Sequence, residues 1–388
     1  MIQLRAEESN FRVTQIVNTL DRADGGPAHH AWLLNRALNR SGLEVSLFHF
    51  TRSRAPELVT TVEQSVGATG APDPVRVRAR SIPGLIASIR GSDAVIVHGY
   101  FLWWVPLVVA VARAAGVPAV LMPHGALNLY ELRRGVARKK VWNSVLGRFV
   151  FHAVKGLAVA SNHEADQLRV LARIPPVAVV GVGADAGGAP RPPKSIGEPI
   201  RLLALSRIAP KKRIDLAVGA LAELRARGES ATLTVAGTGS PEMMSELQEL
   251  ASVLGVSSHV AFVGHVSGSE KAALLASADV FLAPSEDENF GISVAEALVA
   301  GVPTVSSDGV DAAGFVAHAA NRVVAQPTPV SIADEVQVLA DMYRDAKVPA
   351  DLRELAVRAY SWDVVAGRWR VVIGADPETD FVRGGAYR

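Results

Sequence analysis

Short, largely apolar runs alternate along this chain with longer stretches that are apolar on a helical period. The runs Phe11–Val17 (FRVTQIV), Val45–Phe50, Val75–Val77, Ala94–His98, Ala119–Met122, Gly156–Ala160 and Val177–Val180 read as strands. Parallel strands covered on both faces are apolar throughout instead of alternating. Between them lie helical patterns: one opening at Pro27, then Pro83–Arg90, Trp104–Ala115 and Asn162–Leu171. The pattern restarts with strands Arg201–Leu205, Thr232–Ala236, Val260–Val263, Val280–Ala283, Thr304–Ser306 and Arg322–Val324. Helices are expected at Ile214–Arg227, Glu242–Leu254, Ser269–Ser277, Ser331–Asp345 and Ala350–Tyr360. Strand–helix alternation of this kind predicts an α/β chain of two doubly wound, Rossmann-like halves. Such sheets bind ligands at the carboxyl ends of their strands.

Length supports two domains, because 388 residues exceed what one ordinary core organises. The Gly/Pro-rich stretch Gly187–Pro199 (GGAPRPPKSIGEP) reads as the hinge between them. The expected division is residues 1–187, a linker at 188–199, a second domain at 200–360 and a final helix with its tail at 361–388. That helix opens at Ser361-Trp362-Asp363, and the tail from Asp376 is expected to be poorly ordered. A hydrophobic content of 49% with 20% charged residues fits a packed globular protein. The net charge of +2 gives no field of the kind that nucleic acid binding needs. With no cysteine, disulfides, thiolate metal sites and cysteine nucleophiles are excluded. The opening MIQLRAEESN lacks a signal peptide's apolar core, and the longest apolar run, Phe101–Ala112, is short of a membrane span. The expectation is a cytoplasmic protein.

Candidate chemistry gathers after the strands. The stretch Pro284–Pro303 (PSEDENFGISVAEALVAGVP) is a strand end, an acidic loop with Glu286, Asp287 and Glu288, and a helix from near Gly291 to the C-cap glycine Gly301. Backbone N–H groups of Phe290, Gly291 and Ile292 at that helix start suit phosphate or sugar oxygens. Glu288 and Glu296 can accept hydrogen bonds from hydroxyls there, although an acidic loop capping a helix would read the same. After the strand at Arg201, the cations Arg207, Lys211, Lys212 and Arg213 suit a diphosphate. In the first half, Gly25 and Gly26 form a turn before a helix, and His98 and His124 close two strands. His29 and His30 in that helix's first turn read as surface residues. Gly237-Thr-Gly239 after a strand lacks the third glycine of a dinucleotide site.

Glu288-Asn-Phe-Gly-Ile-Ser-Val-Ala-Glu296, followed by Gly301-Val-Pro303, resembles the Glu-x7-Glu signature of retaining GT-B glycosyltransferases of family four. Arg207 and Lys212 match that family's Arg-x4-Lys-Gly motif, with Arg213 in place of glycine. The segments His98-Gly-Tyr and Pro-His124-Gly-Ala-Leu-Asn128 resemble a subset with an HG…PHG pattern. Where the family shows Pro-Asn-Gly-Val-Asp, this chain has Gly181-Val-Gly183-Ala-Asp185. The resemblance implies a GT-B fold, two Rossmann-like domains facing across a cleft, with the last helix crossing back. It implies a metal-independent, retaining hexosyl transfer from a UDP- or GDP-linked sugar, with no cofactor. Glu288 would bind the sugar and Glu296 the ribose, and Arg207 and Lys212 the diphosphate. His124 would reach the sugar near the reaction centre. Gly25, Gly26, Gly237, His265, Val266, Phe290, Gly291 and Ile292 would line the donor, and His98 and Asn128 the acceptor side.

A further stretch, residues 133–155, carries Arg133, Arg134, Arg138, Lys139, Lys140, Arg148 and Lys155 with no acid. Val141, Trp142, Val145, Phe149 and Val150 recur at helical spacing, making a basic amphipathic helix. It reads as a helix packed by its apolar side, or as a contact for anionic lipid or a lipid-diphosphate acceptor. The rival readings of the whole chain are a sugar-nucleotide epimerase of the same architecture, which would isomerise donor alone, and a binding protein without catalysis.

Overall fold

The computed structural model describes residues 11–20, 26–50, 76–78, 82–132, 136–169, 171, 174–185, 194–288 and 290–377. Gly25, the segment 51–75, Arg133, Arg134 and the tail from 378 lie outside these. The chain forms two compact units. One holds the chain up to Gly183 together with the part from Trp362 onward, and the other is Ala184–Ser361.

The first unit carries seven parallel strands in the order β3-β2-β1-β4-β5-β6-β7. They are β1 (Arg12–Val17), β2 (Glu44–His49), β3 (Arg76–Arg78), β4 (Ala94–His98), β5 (Ala119–Met122), β6 (Gly156–Val159) and β7 (Val177–Val179). Apolar strand residues such as Ile16, Val95, Val97 and Leu121 are fully buried against Trp104, Val108 and Leu168 of the flanking segments. The final helix, Trp362–Ile373, belongs to this unit: Trp369 and Val365 are buried, and Arg370 donates to the Ser41 carbonyl at 2.7 Å. The same guanidinium holds Asp376, so the chain is still anchored where the tail was expected to loosen.

The second unit carries six parallel strands in the order β10-β9-β8-β11-β12-β13. They are β8 (Ile200–Leu205), β9 (Ala231–Ala236), β10 (Val260–Gly264), β11 (Val280–Ala283), β12 (Thr304–Ser307) and β13 (Asn321–Val324). Helices Ile214–Ala226 and Pro329–Tyr343 pack closely where Gly219 leaves room for Pro329. Of the expected hinge, Lys194–Pro199 is not free chain. Ile196 is buried and donates to the Tyr343 carbonyl at 2.8 Å, and Lys194 pairs with buried Asp279 at 2.7 Å. The apolar Ile196 is what draws this segment onto the unit.

The basic stretch departs from expectation in shape. Helix Val136–Trp142 passes through a π-helical turn, Asn143–Gly147, into helix Arg148–Ala153. Gly147 lies so close to the Tyr100 hydroxyl that a Cβ would stand 2.5 Å from it, and the same hydroxyl donates to Asn143 at 2.9 Å. The apolar positions divide along this stretch: Val150 is buried, whereas Val141, Val145 and Phe149 are exposed.

Candidate active site

Strand order reverses between β8 and β11, and such reversals open a crevice at the strand carboxyl ends. Here the turn after β8 and the loop after β11 line one narrow crevice, with Ser206, Lys212, Ser285, Glu288, Gly291 and Ser293 in its wall. Buried Lys212 is ion-paired with Glu288. On either side Lys211 meets Asp287 at 3.7 Å and Arg213 meets Glu286 at 3.0 Å. The Glu286 N–H donates to the Lys211 carbonyl at 2.8 Å. Three consecutive cations thus face three consecutive acids, and Glu286, Asp287 and Glu288 each have a cation as partner. Arg213 takes the left-handed conformation that glycine favours, at φ 49°. Its guanidinium also grips Asp215 at 2.9 Å, which offsets the backbone strain.

The helix Ile292–Val299 opens at Gly291, whose φ of 93° and 2.5 Å approach to Val310 at the Cβ position exclude a side chain. Val294 and Ala295 turn their N–H groups to the Gly291 carbonyl, so the preceding N–H groups lie outside the helical ladder. One turn on, Glu296 is buried and meets Lys271 at 2.5 Å. Burial pushes the Glu296 carboxyl above its ordinary range; Lys271 opposes this, and Asp185 adds to it.

The remaining candidates of this unit divide. Arg207 is exposed after β8 and forms no ion pair among the described residues. His265 is exposed and Val266 half-buried after β10, and Ile292 is half-buried. Phe290 does not offer its ring to the crevice; it is buried edge-on against Phe315 and Tyr360. Gly237 is explained by packing, since a Cβ there would stand 1.8 Å from the Ser206 carbonyl oxygen. Among the described residues no group of three or more His, Asp or Glu side chains is arranged to hold a metal ion.

In the first unit strand order reverses between β1 and β4. A cavity of about 530 Å³ opens there, lined by Asn18, Thr19, Pro27, Ala28, His98 and His124, among others. His98 is buried and half-buried His124 has a φ of 53°. His98 Nδ1 lies 2.9 Å from His124 Nε2, and His98 Nε2 lies 2.9 Å from Gln15 Oε1. His30 corrects the surface expectation: it is buried, with its ring edge-on to His124 and His98 at 5.2 and 5.9 Å and tilted against Trp362 at 5.6 Å. Its helix, Gly26–Arg40, turns this position inward, and His29 beside it is half-buried. Burial first, then the neighbouring histidines, hold His30, His98 and His124 well below the ordinary imidazole range.

The loop carrying His124 is fixed by buried Glu164. Its carboxylate accepts the Gly125 and Ala160 N–H groups, each at 2.8 Å. Asn128 is buried in the same loop and donates its N–H to the Gly125 carbonyl at 3.0 Å. Sequence reading had missed Gln15, Glu164 and Lys271. Gln15 was visible as the one amide inside a strand otherwise apolar or β-branched beyond Arg12. Ser161-x-x-Glu164 was visible as a helix-start pattern. Lys271, one lysine on an amphipathic helix, gave no signal.

Residues 24–187 match the family described as Glycosyltransferase Family 4, and residues 190–357 match Glycosyl transferases group 1. A GDP-mannose-dependent alpha-(1-6)-phosphatidylinositol monomannoside mannosyltransferase of Mycobacterium tuberculosis is 33% identical over 198 residues, 49% of each chain. A glycogen synthase of the same organism is 37% identical over 110 residues, 28% of this chain and 26% of that one. The chain spans about half the length of the mannosyltransferase relatives it matches. Among solved structures, Anabaena HepE in complex with UDP and glucose has a TM-score of 0.68 at 15% identity, covering 95% of this chain and 100% of that one. The lipopolysaccharide outer core galactosyltransferase WaaB has a TM-score of 0.64 at 17% identity, covering 94% and 99%. At such identities the likeness is one of fold. By both of its halves, the chain belongs to the family-four glycosyltransferases and has the GT-B fold.

Proposed function

We propose that this chain is a retaining, metal-independent glycosyltransferase moving a hexose from a nucleotide-diphosphate sugar to an acceptor hydroxyl on a polysaccharide, glycolipid or small glycoside. The observation that carries the reading is the crevice at the β8/β11 reversal, where Lys212, Glu288 and the helix start at Gly291 meet. Donor binding exchanges the Lys212–Glu288 pair for new partners: Lys212 takes a phosphate oxygen and Glu288 accepts hydrogen bonds from sugar hydroxyls. Glu296, paired with Lys271, accepts from the ribose. As the glycosidic bond breaks, charge grows on the diphosphate. Arg207, Lys212 and the N–H groups beside Gly291 are fixed positive groups aimed at it. The acids nearest them are already matched to cations, which supports a site whose positive charge comes from side chains. A mannosyltransferase relative is GDP-mannose-dependent and the HepE neighbour is seen with UDP and UDP-glucose, so both donor bases belong to the proposal. The cavity of the first unit, lined by His98 and His124 with Asn128 buried in the loop behind, takes the acceptor and presents His124 to a sugar hydroxyl.

A thermal-shift screen of UDP- and GDP-sugars identifies the donor, since a ligand of the native state raises the melting temperature. Lys212→Ala and Glu296→Ala are then expected to lose most transfer while the protein stays folded. Wild-type turnover in either variant removes the assignment. Conversion of donor to an isomer without acceptor points instead to an epimerase.

The exposed apolar residues Val141, Val145 and Phe149 lie among Arg138, Lys140 and Arg148, which are also exposed. Charge and apolar area together suit an anionic lipid surface, and we assign the stretch a peripheral membrane contact at the cytoplasmic face. No helix among the described residues is long and apolar enough to cross a membrane.

A further inference from the structure

Behind the first unit's cavity runs a chain of hydrogen bonds with one direction. Gln15 lies in β1, next to β4 in the sheet, and its side chain is wholly buried. Its Oε1 can only accept, so His98 Nε2–H is the donor across the 2.9 Å contact. An uncharged His98 then has a lone pair on Nδ1. The 2.9 Å contact from that nitrogen requires His124 Nε2–H to donate. One amide therefore dictates the proton position on two rings. His30 packs edge-on against both rings and hinders their rotation. Glu164 fixes the backbone behind His124 through the Gly125 N–H.

We propose that Gln15 and His98 are positioning residues that lock His124 in the Nε2–H tautomer, leaving its Nδ1 as a lone-pair acceptor for a sugar hydroxyl. The sugar partner rests on the function proposed above; the tautomer lock does not. Without Gln15 either ring nitrogen of His98 could carry the proton. His124 would then be free to present N–H or lone pair, and the N–H state repels a hydroxyl oriented to donate. A residue acting only as filler would set no proton position at all.

Long-range proton–nitrogen correlation spectra of the ¹⁵N-labelled full chain test this directly. Signals are assigned from His98→Gln and His124→Gln spectra. In the wild type, His98 and His124 are both expected to show a protonated Nε2 and a bare Nδ1. Gln15→Met is expected to leave His98 as a mixture of tautomers. With a nucleotide sugar that the wild type turns over, it should lower kcat roughly three- to tenfold at unchanged KM, the factor expected for one lost hydrogen bond. Protonation of Nδ1 on either wild-type ring overturns the proposal and needs no variant to fold. So does a folded Gln15→Met protein whose tautomers and kcat match the wild type. The expected spectra in a protein without transfer activity would keep the lock and sink the proposed function.

Discussion

Three imidazoles buried in one cluster make the first unit sensitive to mild acid. His30, His98 and His124 all have pKa values lowered by burial. In the unfolded chain each titrates near 6.5, as free histidine does. Below that pH the unfolded state binds protons that the folded state does not, so stability falls as pH falls. Above about pH 7.5 neither state is protonated and the term vanishes. At pH 5.5 the unfolded imidazole is about ten to one protonated, which disfavours folding by about 1.4 kcal/mol per group. Three groups together give about 4 kcal/mol, a large share of the ~5–15 kcal/mol that holds a domain folded. Urea unfolding followed by tryptophan fluorescence isolates the unit, because all six tryptophans (Trp32, Trp103, Trp104, Trp142, Trp362 and Trp369) belong to it. His30→Leu removes one titrating group at a position where neither ring nitrogen has a hydrogen-bond partner among the described residues. The variant is expected to lose about 1.4 kcal/mol less than wild type between pH 7.5 and 5.5. Parallel pH curves for the two proteins would show that His30 is not held neutral in the fold, and the electrostatic account of the cluster would fail.

Gly237→Ala places a methyl group 1.8 Å from the Ser206 carbonyl oxygen and strains a φ of 144°, so it should cost the second unit at least ~2 kcal/mol in denaturation followed by circular dichroism. An unchanged midpoint would mean the β8 and β9 ends do not approach as described. Glu164→Gln keeps the shape but loses the charge that accepts two N–H groups; about 2 kcal/mol should be lost from the fluorescence-detected unfolding of the first unit. Liposome sedimentation should recover more protein with acidic lipid than without, and Val145→Ser with Phe149→Ser should abolish the difference; equal recovery with both lipids removes the membrane contact.

Much of this molecule is written in its local sequence. Parallel strands buried on both faces must be apolar throughout, so their positions and the α/β class follow from the pattern alone, and Ala94–His98, Ala119–Met122 and Val280–Ala283 fall on the expected residues. Glu288, Glu296, Arg207 and Lys212 were legible because their spacing resembles the Glu-x7-Glu and Arg-x4-Lys motifs; charge after a strand or in a helix would by itself read equally as a solvated surface. Which charge meets which was not legible. Lys212 and Glu288 lie 76 residues apart, and only the reversal of strand order beside β8 brings their turns together. Lys271 reaches Glu296 for the same reason. His30 looked like a surface residue because helical period does not say which face a helix buries until its sheet is present. The π turn at Asn143–Gly147 is a hydrogen-bonding irregularity that composition does not announce. The chain's own pattern settles what is strand and what is helix, since those are local choices of burial and backbone. The proton positions, ion pairs and exposed faces on which chemistry depends arise from contacts between distant segments, and only the packed fold determines them.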